Sequence, residues 1–449
     1  MSAVPKRLTK NQIARMHPND PTLRSFLEVP SESHFPIQNL PFGIFSPAGG
    51  SPRAGVAIGD TVLDLEALET AGLLKISELP AGASLFARPV LNDFIALGRE
   101  ATTAVRTRVS QLLRHDNPIL RDDAALRAKV FHTMSSVKLH MPVTVGGFSD
   151  FMLSREHSLN CVDIVGGAAA GQLWRNWTYL PMAYNGRASS VVVSGTPVKR
   201  PRGQVLSEGQ TAPAYQPTAK LDFELEAAIV VGRGNELGST VGIADADAHM
   251  FGVVLLNDWS TRDVQAWEAQ PLGVFVSKSH RTSISPWIVT FDALEPFRTD
   301  GPEQTPPPLA YLDQKGPRNF NVHMEASIKP KDHTKASVVC RSNLQALYWS
   351  FAQQVAHHTS TGCNLMPGDL LATGTVSASG PNAQGCLYEA TRDGRQAITL
   401  EQGGTRLYLE DGDEVALTAW AQGKGYRVGF GHCTGLITPV DSNKNGAAS

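Results

Sequence analysis

The feature that most constrains this chain is an acidic segment, residues 220–226, that runs directly into the apolar segment 227–232. If residues 220–226 form a β-strand, Asp222, Glu224 and Glu226 share one face, where three carboxylates repel one another. The apolar continuation predicts that the strand is largely buried, and buried carboxylates need a counter-charge. A hard divalent cation is the most compact counter-charge, whereas a solvated acidic face is the alternative that the pattern leaves open.

The composition limits which classes of protein the chain can belong to. Its 449 residues, 42% hydrophobic and 18% charged, predict two or three domains with a large core rather than a disordered chain. A net charge of -2 gives no reason to expect nucleic acid or an anionic membrane as a partner. No apolar run is long enough to span a bilayer, and residues 1–7 lack the apolar core of a signal peptide. The five cysteines are widely spaced without a CxxC pair, so we expect reduced thiols and a cytoplasmic protein.

Hydrophobic patterns divide the chain into three parts. Residues 1–34 are polar and predict an extension, residues 35–141 predict a small β-barrel domain, and residues 142–440 predict a large β-rich domain. Within the small domain, β-strands are predicted at 42–46, 55–59 and 61–65, and helices at 89–114 and 124–130.

The large domain contains one clear amphipathic helical pattern, near residues 343–358. Asn343 is the predicted N-cap of this helix, and Gly362 is its predicted stop. The other segments of this domain are rich in glycine, aromatic and β-branched residues, which indicates strands and turns.

Several polar residues lie where packing alone does not require them. Asp150 and His157 are seven residues apart and would share a face if their segment were helical. Asp258 ends an apolar run, which is a typical way to deliver a carboxylate into a pocket. Five further polar candidates follow along the chain: Arg262 and Gln265, three residues apart, then Lys278 with Thr282, and finally Glu389. Each residue alone is weak evidence, because single histidines and strand-end aspartates are more often structural.

Other catalytic motifs are less well supported. The glycines between Gly232 and Gly238 resemble a dinucleotide-binding loop, but the third glycine comes one place late and a hairpin turn fits better. His357, His358 and Cys363 could suggest zinc, but adjacent histidines point in different directions on a helix. The sequence contains neither a Gly-x-Ser-x-Gly elbow nor a P-loop.

Taken together, these features resemble the fumarylacetoacetase family over residues 35–439. The resemblance is carried by LPMAYNGRASSVVVSGTP at 180–197, LDFELE at 221–226, NDWSTRDVQAWE at 257–268, MPGDLLATGT at 366–375 and GYRVGFG at 425–431. It implies a mainly β (α+β) fold, in which a small Src-homology-3-like barrel precedes a large mixed β-sandwich and roll domain that carries catalysis. It also implies a homodimer that hydrolyses a carbon–carbon bond in a 1,3-diketo acid, with bound Mg²⁺ or Ca²⁺.

The resemblance assigns roles to the polar residues. Matching the family motifs makes the metal ligands Asp150, Glu224, Glu226 and Asp258, with Lys278 and Thr282 beside the metal; Asp222 receives no role. His157 would take a proton from water near neutral pH, and Glu389 would orient the imidazole. Arg262, Gln265 and Lys278 would supply donors to the enolate-like leaving group.

Three positions that contact the substrate in the family differ in this chain from the family pattern. Met152 and Ala269 stand where the family has tyrosines, and Gly166 stands where it has an arginine. Tyr184 and Thr375 are retained as substrate-binding residues, as is Gln265. This pattern favours a metal-dependent hydrolase or lyase with an altered pocket, acting on a different β-diketo acid or diketone. The alternatives are a member that cleaves fumarylacetoacetate itself, in tyrosine and phenylalanine catabolism, and a non-catalytic member used for binding or assembly.

Overall fold

The computed structural model describes residues 17–166 and 171–440. At its centre lies an antiparallel strand pair, Leu225–Val231 and Met250–Asp258, in which every residue is buried. Both strands are nearly continuous apolar runs, which is the pattern of strands covered on both faces. Because Leu225 lies opposite Asn257, the start of the first strand meets the end of the second. This register brings the acidic residues at the two strand ends together inside the protein.

Thirteen of the described strands share one sheet around this pair. Their main path has the spatial order Phe131–Thr133, Thr61–Asp64, Arg53–Ile58, Phe42–Pro47, Trp287–Thr290, Met250–Asp258, Leu225–Val231, Leu370–Ala372, Phe148–Phe151 and Ala183–Asn185. The strands that pair beside this path are Val137–His140, Thr282–Ile284 and Val191–Val193.

A second sheet and four small ribbons complete the described β-structure. The second sheet has the order Ser337–Asn343, His323–Lys329, Glu414–Gln422, Arg427–Thr438 and Val198–Lys199. The ribbons pair Arg202–Val205 with Ala214–Pro217, Leu221–Asp222 with Ser260–Thr261, Arg298–Thr299 with Asn319–Phe320, and Ile398–Thr399 with Thr405–Arg406.

Helices cover the sheets and connect their strands. The α-helices are Leu65–Thr70, Asn92–Ile95, Arg99–Leu113, Pro118–Arg121, Ala124–Val130, Arg155–Val165, Arg262–Glu268, Val276–Ser279, Phe291–Leu294, Phe351–His358 and Leu387–Ala390. Short 3-10 helices occupy Met134–Ser136, Ala188–Ser190, Ala246–His249, Glu295–Phe297, Ala310–Leu312 and Leu344–Ala346. Among the helices in the described ranges, none has the length and apolar character needed to cross a membrane.

The large sheet separates two hydrophobic cores. Ile229 packs into one core together with Val355 of the helix Phe351–His358. Its neighbour Val230 points to the other face and packs with residues of the helix Arg99–Leu113. This alternation is the period of two expected for a strand, and it fixes which face of the central strand meets each layer of helices.

The mixed, sheet-rich α+β architecture confirms the predicted fold class. The predicted strands of the small domain are present as Phe42–Pro47, Arg53–Ile58 and Thr61–Asp64. Phe42–Pro47 also pairs with Trp287–Thr290, so the N-terminal strands continue the sheet that contains the central strand pair. The Src-homology-3-like form of the small domain and the domain boundaries at 34 and 141 stay predictions.

Part of the predicted extension packs against the small domain. Leu23 is buried in the core that contains the helix Arg99–Leu113, and Ser25 forms a β-bridge with Arg114. Gln38 and Asn39 hold the buried Arg106 through their carbonyl oxygens. The remainder of the predicted extension, residues 1–16, lies outside the described residues.

Two predicted helices have different bounds in the structure. The predicted start of the helix at Asn343 is wrong. Asn343 caps the 3-10 turn Leu344–Ala346, and the α-helix Phe351–His358 begins after Ser350. Ser350 and Gln353 form a capping box that satisfies the free amides at this helix start. The pattern at 89–114 divides at Gly98, whose φ of +86° interrupts the helix.

Two expectations about the polar segments are also wrong. Asp150 lies in the strand Phe148–Phe151, whereas His157 lies in the helix Arg155–Val165, so they do not share a helical face. The acidic segment is not one continuous strand, because pairing is interrupted at Phe223 between Leu221–Asp222 and Leu225–Val231. Asp222 and Glu224, on either side of this interruption, both contact Arg262, whereas Glu226 has no hydrogen-bond partner among the described residues.

The loop after Leu370–Ala372 makes a close backbone contact that holds the strand carrying Asp150. Gly374 has a φ of +71°, and a Cβ placed there would lie 1.9 Å from the Phe151 carbonyl oxygen. We expect Gly374→Ala to destabilise the protein by about 2–4 kcal/mol, through the left-handed backbone and the displacement of Phe151. Gly425→Ala is the matched control, because Gly425 has a φ of +77° but open space around it. Equal losses in thermal unfolding for both variants would contradict this prediction.

Candidate active site

The acidic residues of the candidate site come from separate strands. Asp150 lies opposite Ala372 on one side and Tyr184 on the other. Glu224 forms an isolated bridge with Cys386, and Glu226 lies opposite Leu256 near the end of the central strand pair. The fold therefore brings together groups that are far apart in the sequence.

Three of these carboxylates form a compact, buried cluster. Oxygen atoms of Asp150, Glu224 and Glu226 all lie within 4.8 Å of one another. Glu226 is 0% exposed and Asp150 is 2% exposed, which excludes the solvated acidic face that the sequence left open. The buried character predicted for the acidic segment is confirmed.

Asp258 lies beside this cluster with its own partners. Its Oδ1 accepts a hydrogen bond from Thr282 Oγ1 at 2.7 Å. The Tyr184 hydroxyl lies 2.6 Å from Asp258 Oδ2 and 2.7 Å from Asp150 Oδ2. Since a hydroxyl has one proton, Tyr184 links the two carboxylates but can satisfy only one of them at a time.

Two cations partly neutralise the cluster. Lys278 Nζ donates to Glu224 and lies 3.5 Å from Asp258 Oδ2. Arg262 Nη1 lies 2.8 Å from Glu224 Oε1. Burial opposes ionisation of Glu224, but the positive charges of Lys278 and Arg262 outweigh burial and lower the pKa of its carboxyl.

Other carboxylates of the cluster lack this compensation. Burial, reinforced by the charge of Asp258, raises the pKa of Asp150 to about 8. Burial, with Asp150 and Glu224 adding to it, raises the pKa of Glu226 well above its usual range. Neither Glu226 carboxylate oxygen, nor Asp150 Oδ1, has a hydrogen-bond partner among the described residues. A buried acceptor without a partner is costly, so these oxygens are available to a cation.

This donor set fits a divalent cation. The atoms without a partner are Asp150 Oδ1 and both Glu226 oxygens, with the carboxylates of Glu224 and Asp258 beside them. Hard oxygen ligands of this kind select Mg²⁺ or Ca²⁺ over softer metals. Lys278 and Arg262 balance only part of the negative charge that the cluster carries when all its carboxylates are ionised. A divalent ion would balance the rest. The carboxylate cluster is therefore a candidate divalent-metal site.

Asp222 has a structural role that the sequence alone did not indicate. Its Oδ2 lies 2.9 Å from Arg262 Nε, and its two oxygens accept hydrogen bonds from the backbone amides of Leu387 and Tyr388. With these partners Asp222 holds Arg262 in position and anchors the start of the helix that carries Glu389. Interruption of the strand at Phe223 turns Asp222 towards these groups, and no local sequence signal marks that interruption.

His157 and Glu389 form a buried pair. His157 Nδ1 lies 2.7 Å from Glu389 Oε1, and Ser154 caps the helix that carries the histidine. Glu389 also accepts hydrogen bonds from Asn160 Nδ2 and Ser377 Oγ, both at 2.7 Å. Asn160 and Ser377 were missed by sequence reasoning, because nothing in their local sequence indicates a long-range contact with Glu389.

Burial and the neighbouring groups together set the charge of each member of this pair. Burial disfavours the imidazolium, but the neighbouring Cys161 and Glu389 outweigh it and raise the pKa of His157 well above its usual range. Burial likewise opposes ionisation of Glu389, but the positive charge of His157 lowers its pKa. Glu389 therefore remains a carboxylate that stabilises the charged imidazole.

The predicted substrate-binding residues occupy varied positions. Gln265 Oε1 accepts from Arg262 Nη1 at 3.3 Å, and the buried Thr375 Oγ1 has no partner among the described residues. Met152 is partly buried against the large core. Gly166 caps the helix Arg155–Val165 with a φ of +75°, and Ala269 caps the helix Arg262–Glu268. The structure therefore gives the position and the neighbours of each of these residues within the protein. Their contacts with substrate stay predictions.

The distinct partners of Asp222 and Glu226 give a test of the metal site. We expect Glu226→Gln to weaken Mg²⁺ or Ca²⁺ binding by at least about tenfold, because a ligand oxygen is lost. Asp222→Asn is the matched control and should retain binding, since Asp222 is occupied by Arg262 and backbone amides. Isothermal titration calorimetry measures both affinities. The opposite ranking of the two variants would refute the assignment of Glu226 as a ligand.

Comparison with known proteins places this geometry in a family. Residues 38–142 match the family described as fumarylacetoacetase N-terminal, and residues 157–436 match the family described as fumarylacetoacetate (FAA) hydrolase C-terminal. The chain is 50% identical to fumarylacetoacetase from Arabidopsis thaliana over 418 residues, covering 93% of this chain and 99% of the relative. It is 45% identical to fumarylacetoacetase from Homo sapiens over 417 residues, with the same two coverages of 93% and 99%.

A solved structure agrees with the fold. A putative HpcE protein from Mycobacterium smegmatis superimposes with a TM-score of 0.51 at 17% identity, covering 89% of this chain and 99% of that one. This similarity concerns the fold alone, whereas the two family matches together span most of the chain. The chain therefore belongs to the fumarylacetoacetate hydrolase family and is a hydrolase that acts on carbon–carbon bonds.

Proposed function

We propose that this protein is a fumarylacetoacetase, which hydrolyses fumarylacetoacetate to fumarate and acetoacetate at the end of tyrosine breakdown. The observation that carries the proposal is the buried His157–Glu389 pair, 2.7 Å between Nδ1 and Oε1, in a chain with a carboxylate cluster and two buried cations. The relatives named fumarylacetoacetase, at 45–50% identity over nearly their whole length, support this substrate over the different diketone that the sequence analysis preferred.

The cation of the proposed site is Mg²⁺ or Ca²⁺. Asp150, Glu224, Glu226 and Asp258 would hold it, with Lys278 and Thr282 beside them. When bound, the cation supplies Lewis-acid polarisation of the diketone oxygens. Support comes from the oxygens of Asp150 and Glu226 that have no hydrogen-bond partner among the described residues.

His157 acts as the general base of the proposed reaction. Glu389 occupies the Nδ1 side of the ring, which leaves Nε2 to accept a proton from water. The resulting hydroxide adds to the carbonyl carbon on the fumaryl side, and the bond to the acetoacetate carbon then breaks. His157 returns its proton to that carbon, so fumarate and acetoacetate leave with all atoms accounted for.

Arg262, Gln265 and Lys278 stabilise the leaving group in this proposal. Cleavage places negative charge on the acetoacetate portion, which donors and positive charges lower in energy. Arg262 and Lys278 remain protonated, because burial is outweighed by nearby carboxylates that raise the pKa of both side chains. Arg262 is further fixed by Asp222, so its guanidinium is oriented before the substrate arrives.

Hydrolysis of a β-diketo acid or diketone other than fumarylacetoacetate is the second candidate function. The observation that favours it is the trio Met152, Gly166 and Ala269, which replaces two tyrosines and an arginine expected from the family resemblance. A hydrogen bond to a charged group contributes about 1.5–3 kcal/mol, so losing two of them would weaken binding of a dicarboxylate by roughly a hundredfold to ten-thousandfold. Tyr184 and Thr375 would remain as polar pocket residues.

A cytoplasmic homodimer completes the proposal. The cysteines Cys161, Cys340, Cys363, Cys386 and Cys433 are all free, which is compatible with a reducing compartment. Light scattering should give twice the mass of one chain, and a monomeric mass would contradict the dimer. Fractionation of cells that express the full chain would locate it, and recovery in a sealed organelle would contradict the cytoplasmic placement.

The role of His157 and Glu389 can be tested through the pH profile. Because the pKa of His157 is raised, activity should rise as pH increases and the imidazole loses its proton. Glu389→Gln removes a negative charge that stabilises the imidazolium, so the rise in kcat/KM should shift to lower pH while kcat falls. His157→Ala should lower kcat by at least about a hundredfold with metal binding retained.

Two outcomes would count against these roles. A fully active His157→Ala variant would exclude this histidine as the base. A Glu389→Gln profile that kept the wild-type pH dependence would show that Glu389 does not act through the imidazole. Far-ultraviolet circular dichroism of both variants controls for loss of the fold.

A direct assay separates the two candidate substrates. We expect the wild type to hydrolyse fumarylacetoacetate with a kcat/KM comparable to that of the Arabidopsis thaliana relative, measured side by side. The variant Met152→Tyr, Ala269→Tyr should then gain little. A wild type at least about a hundredfold slower than the relative, together with a large gain in the double variant, would instead establish the altered pocket.

A further inference from the structure

Two thiols that the proposed hydrolysis does not use lie beside the His157–Glu389 pair. Cys386 is fully buried, and its Sγ lies 3.3 Å from Glu389 Oε1. Cys161 is half-buried one helical turn after His157, with its Sγ 3.6 Å from His157 Nε2 and 3.8 Å from Nδ1. Donor atoms of His157, Cys386 and Glu389 all lie within 4.8 Å of one another.

These separations match the ligand spacing of a tetrahedral zinc ion. Zn–N distances of about 2.0 Å and Zn–S distances of about 2.3 Å place neighbouring ligand atoms about 3.3–3.8 Å apart. His157 Nδ1 is the ring nitrogen that faces Glu389. The contacts from Cys161 Sγ to this nitrogen, at 3.8 Å, and from Cys386 Sγ to Glu389 Oε1, at 3.3 Å, already fall in this range. The 2.7 Å contact between His157 and Glu389 would have to open by about half an ångström.

We propose that His157, Cys386 and Glu389 form a second metal site, which takes a thiophilic divalent cation such as Zn²⁺ and inhibits the enzyme. Cys161 is the adjacent fourth donor, on the same face of the helix Arg155–Val165. Binding expels two protons to solvent, that of the Cys386 thiol and that between His157 Nδ1 and Glu389, since the ligands are the thiolate and the neutral imidazole. Inhibition follows because an imidazole that binds the ion through Nδ1 keeps its proton on Nε2 and can no longer accept one from water; this consequence rests on the proposed function of His157, whereas binding does not.

The donor chemistry distinguishes this site from the carboxylate cluster. Asp150, Glu224 and Glu226 offer only oxygen and favour Mg²⁺ or Ca²⁺, whereas sulfur and imidazole favour zinc and its relatives. An excess of Mg²⁺ should therefore fill the first site without relieving inhibition at the second. The two sites can be occupied and measured independently.

The zinc group considered from the sequence, His357, His358 and Cys363, has other partners. His357 Nδ1 lies 3.0 Å from the Tyr311 hydroxyl, and His358 Nε2 lies 2.8 Å from Ser149 Oγ. Cys363 Sγ donates to the carbonyl of Asn364. This thiol is therefore a suitable control position for a cysteine variant.

The experiment titrates the full-length protein, loaded with excess Mg²⁺, with buffered Zn²⁺ and measures the initial rate. Co²⁺ is the spectroscopic probe, because a thiolate ligand gives it an intense charge-transfer absorption. We expect one Co²⁺ per chain with that absorption, and half-inhibition by Zn²⁺ at a concentration that excess Mg²⁺ does not raise. Cys386→Ser should raise that concentration by at least about tenfold and clearly weaken the absorption, because one thiolate ligand is lost, whereas Cys363→Ser should change neither.

Each alternative result has a defined meaning. Inhibition that excess Mg²⁺ relieves would place Zn²⁺ at the carboxylate cluster and overturn the proposal, as would unchanged Co²⁺ absorption in Cys386→Ser. If Cys386→Ser does not fold, Cys386→Ala replaces it, and an unchanged Zn²⁺ response and Co²⁺ spectrum in that variant would overturn the proposal. If the protein fails to hydrolyse fumarylacetoacetate, the Co²⁺ spectrum still tests the site, so failure of the proposed function is distinguishable.

Discussion

One end of the central strand pair buries more carboxylates than cations. The candidate site depends on how this excess of acidic groups is compensated. Lys278 and Arg262 contact Glu224, but Glu226 has no hydrogen-bond partner among the described residues and Asp150 is only partly satisfied. Two like charges about 4 Å apart repel by about 4 kcal/mol at an effective dielectric constant near 20. Protonation or a bound cation can relieve this repulsion. In either case the apolar strands hold the cluster in place.

Segments beside the central strand pair connect the carboxylate cluster to the His157–Glu389 pair. Asp222 orients Arg262 from one side, and its other contacts are the amides at the start of the helix that carries Glu389. His157 follows Asp150 by seven residues, but a strand, a turn and a helix separate them. A short stretch of chain thus supplies one group to each centre, which couples their positions through the backbone.

The β-rich character of the chain and the burial of the acidic segment could be predicted from local patterns, whereas the fold class came from the resemblance to the family. The apolar run after Glu226 and the run before Asp258 are strong strand signals with few alternatives. The interruption at Phe223, and the contacts of Asn160 and Ser377 with Glu389, depend on chain segments distant in sequence. Those contacts arise from tertiary packing, which residue spacing does not encode.

We propose that a hard divalent cation balances the charge of the excess buried carboxylates, beside a separate His157–Glu389 pair. Anomalous diffraction from crystals grown with Mn²⁺, a redox-stable substitute for Mg²⁺, tests it most directly. The account predicts one strong anomalous peak in contact with oxygens of Asp150, Glu224 and Glu226, with the His157–Glu389 hydrogen bond intact. Absence of a peak at these oxygens in crystals saturated with Mn²⁺ would contradict it.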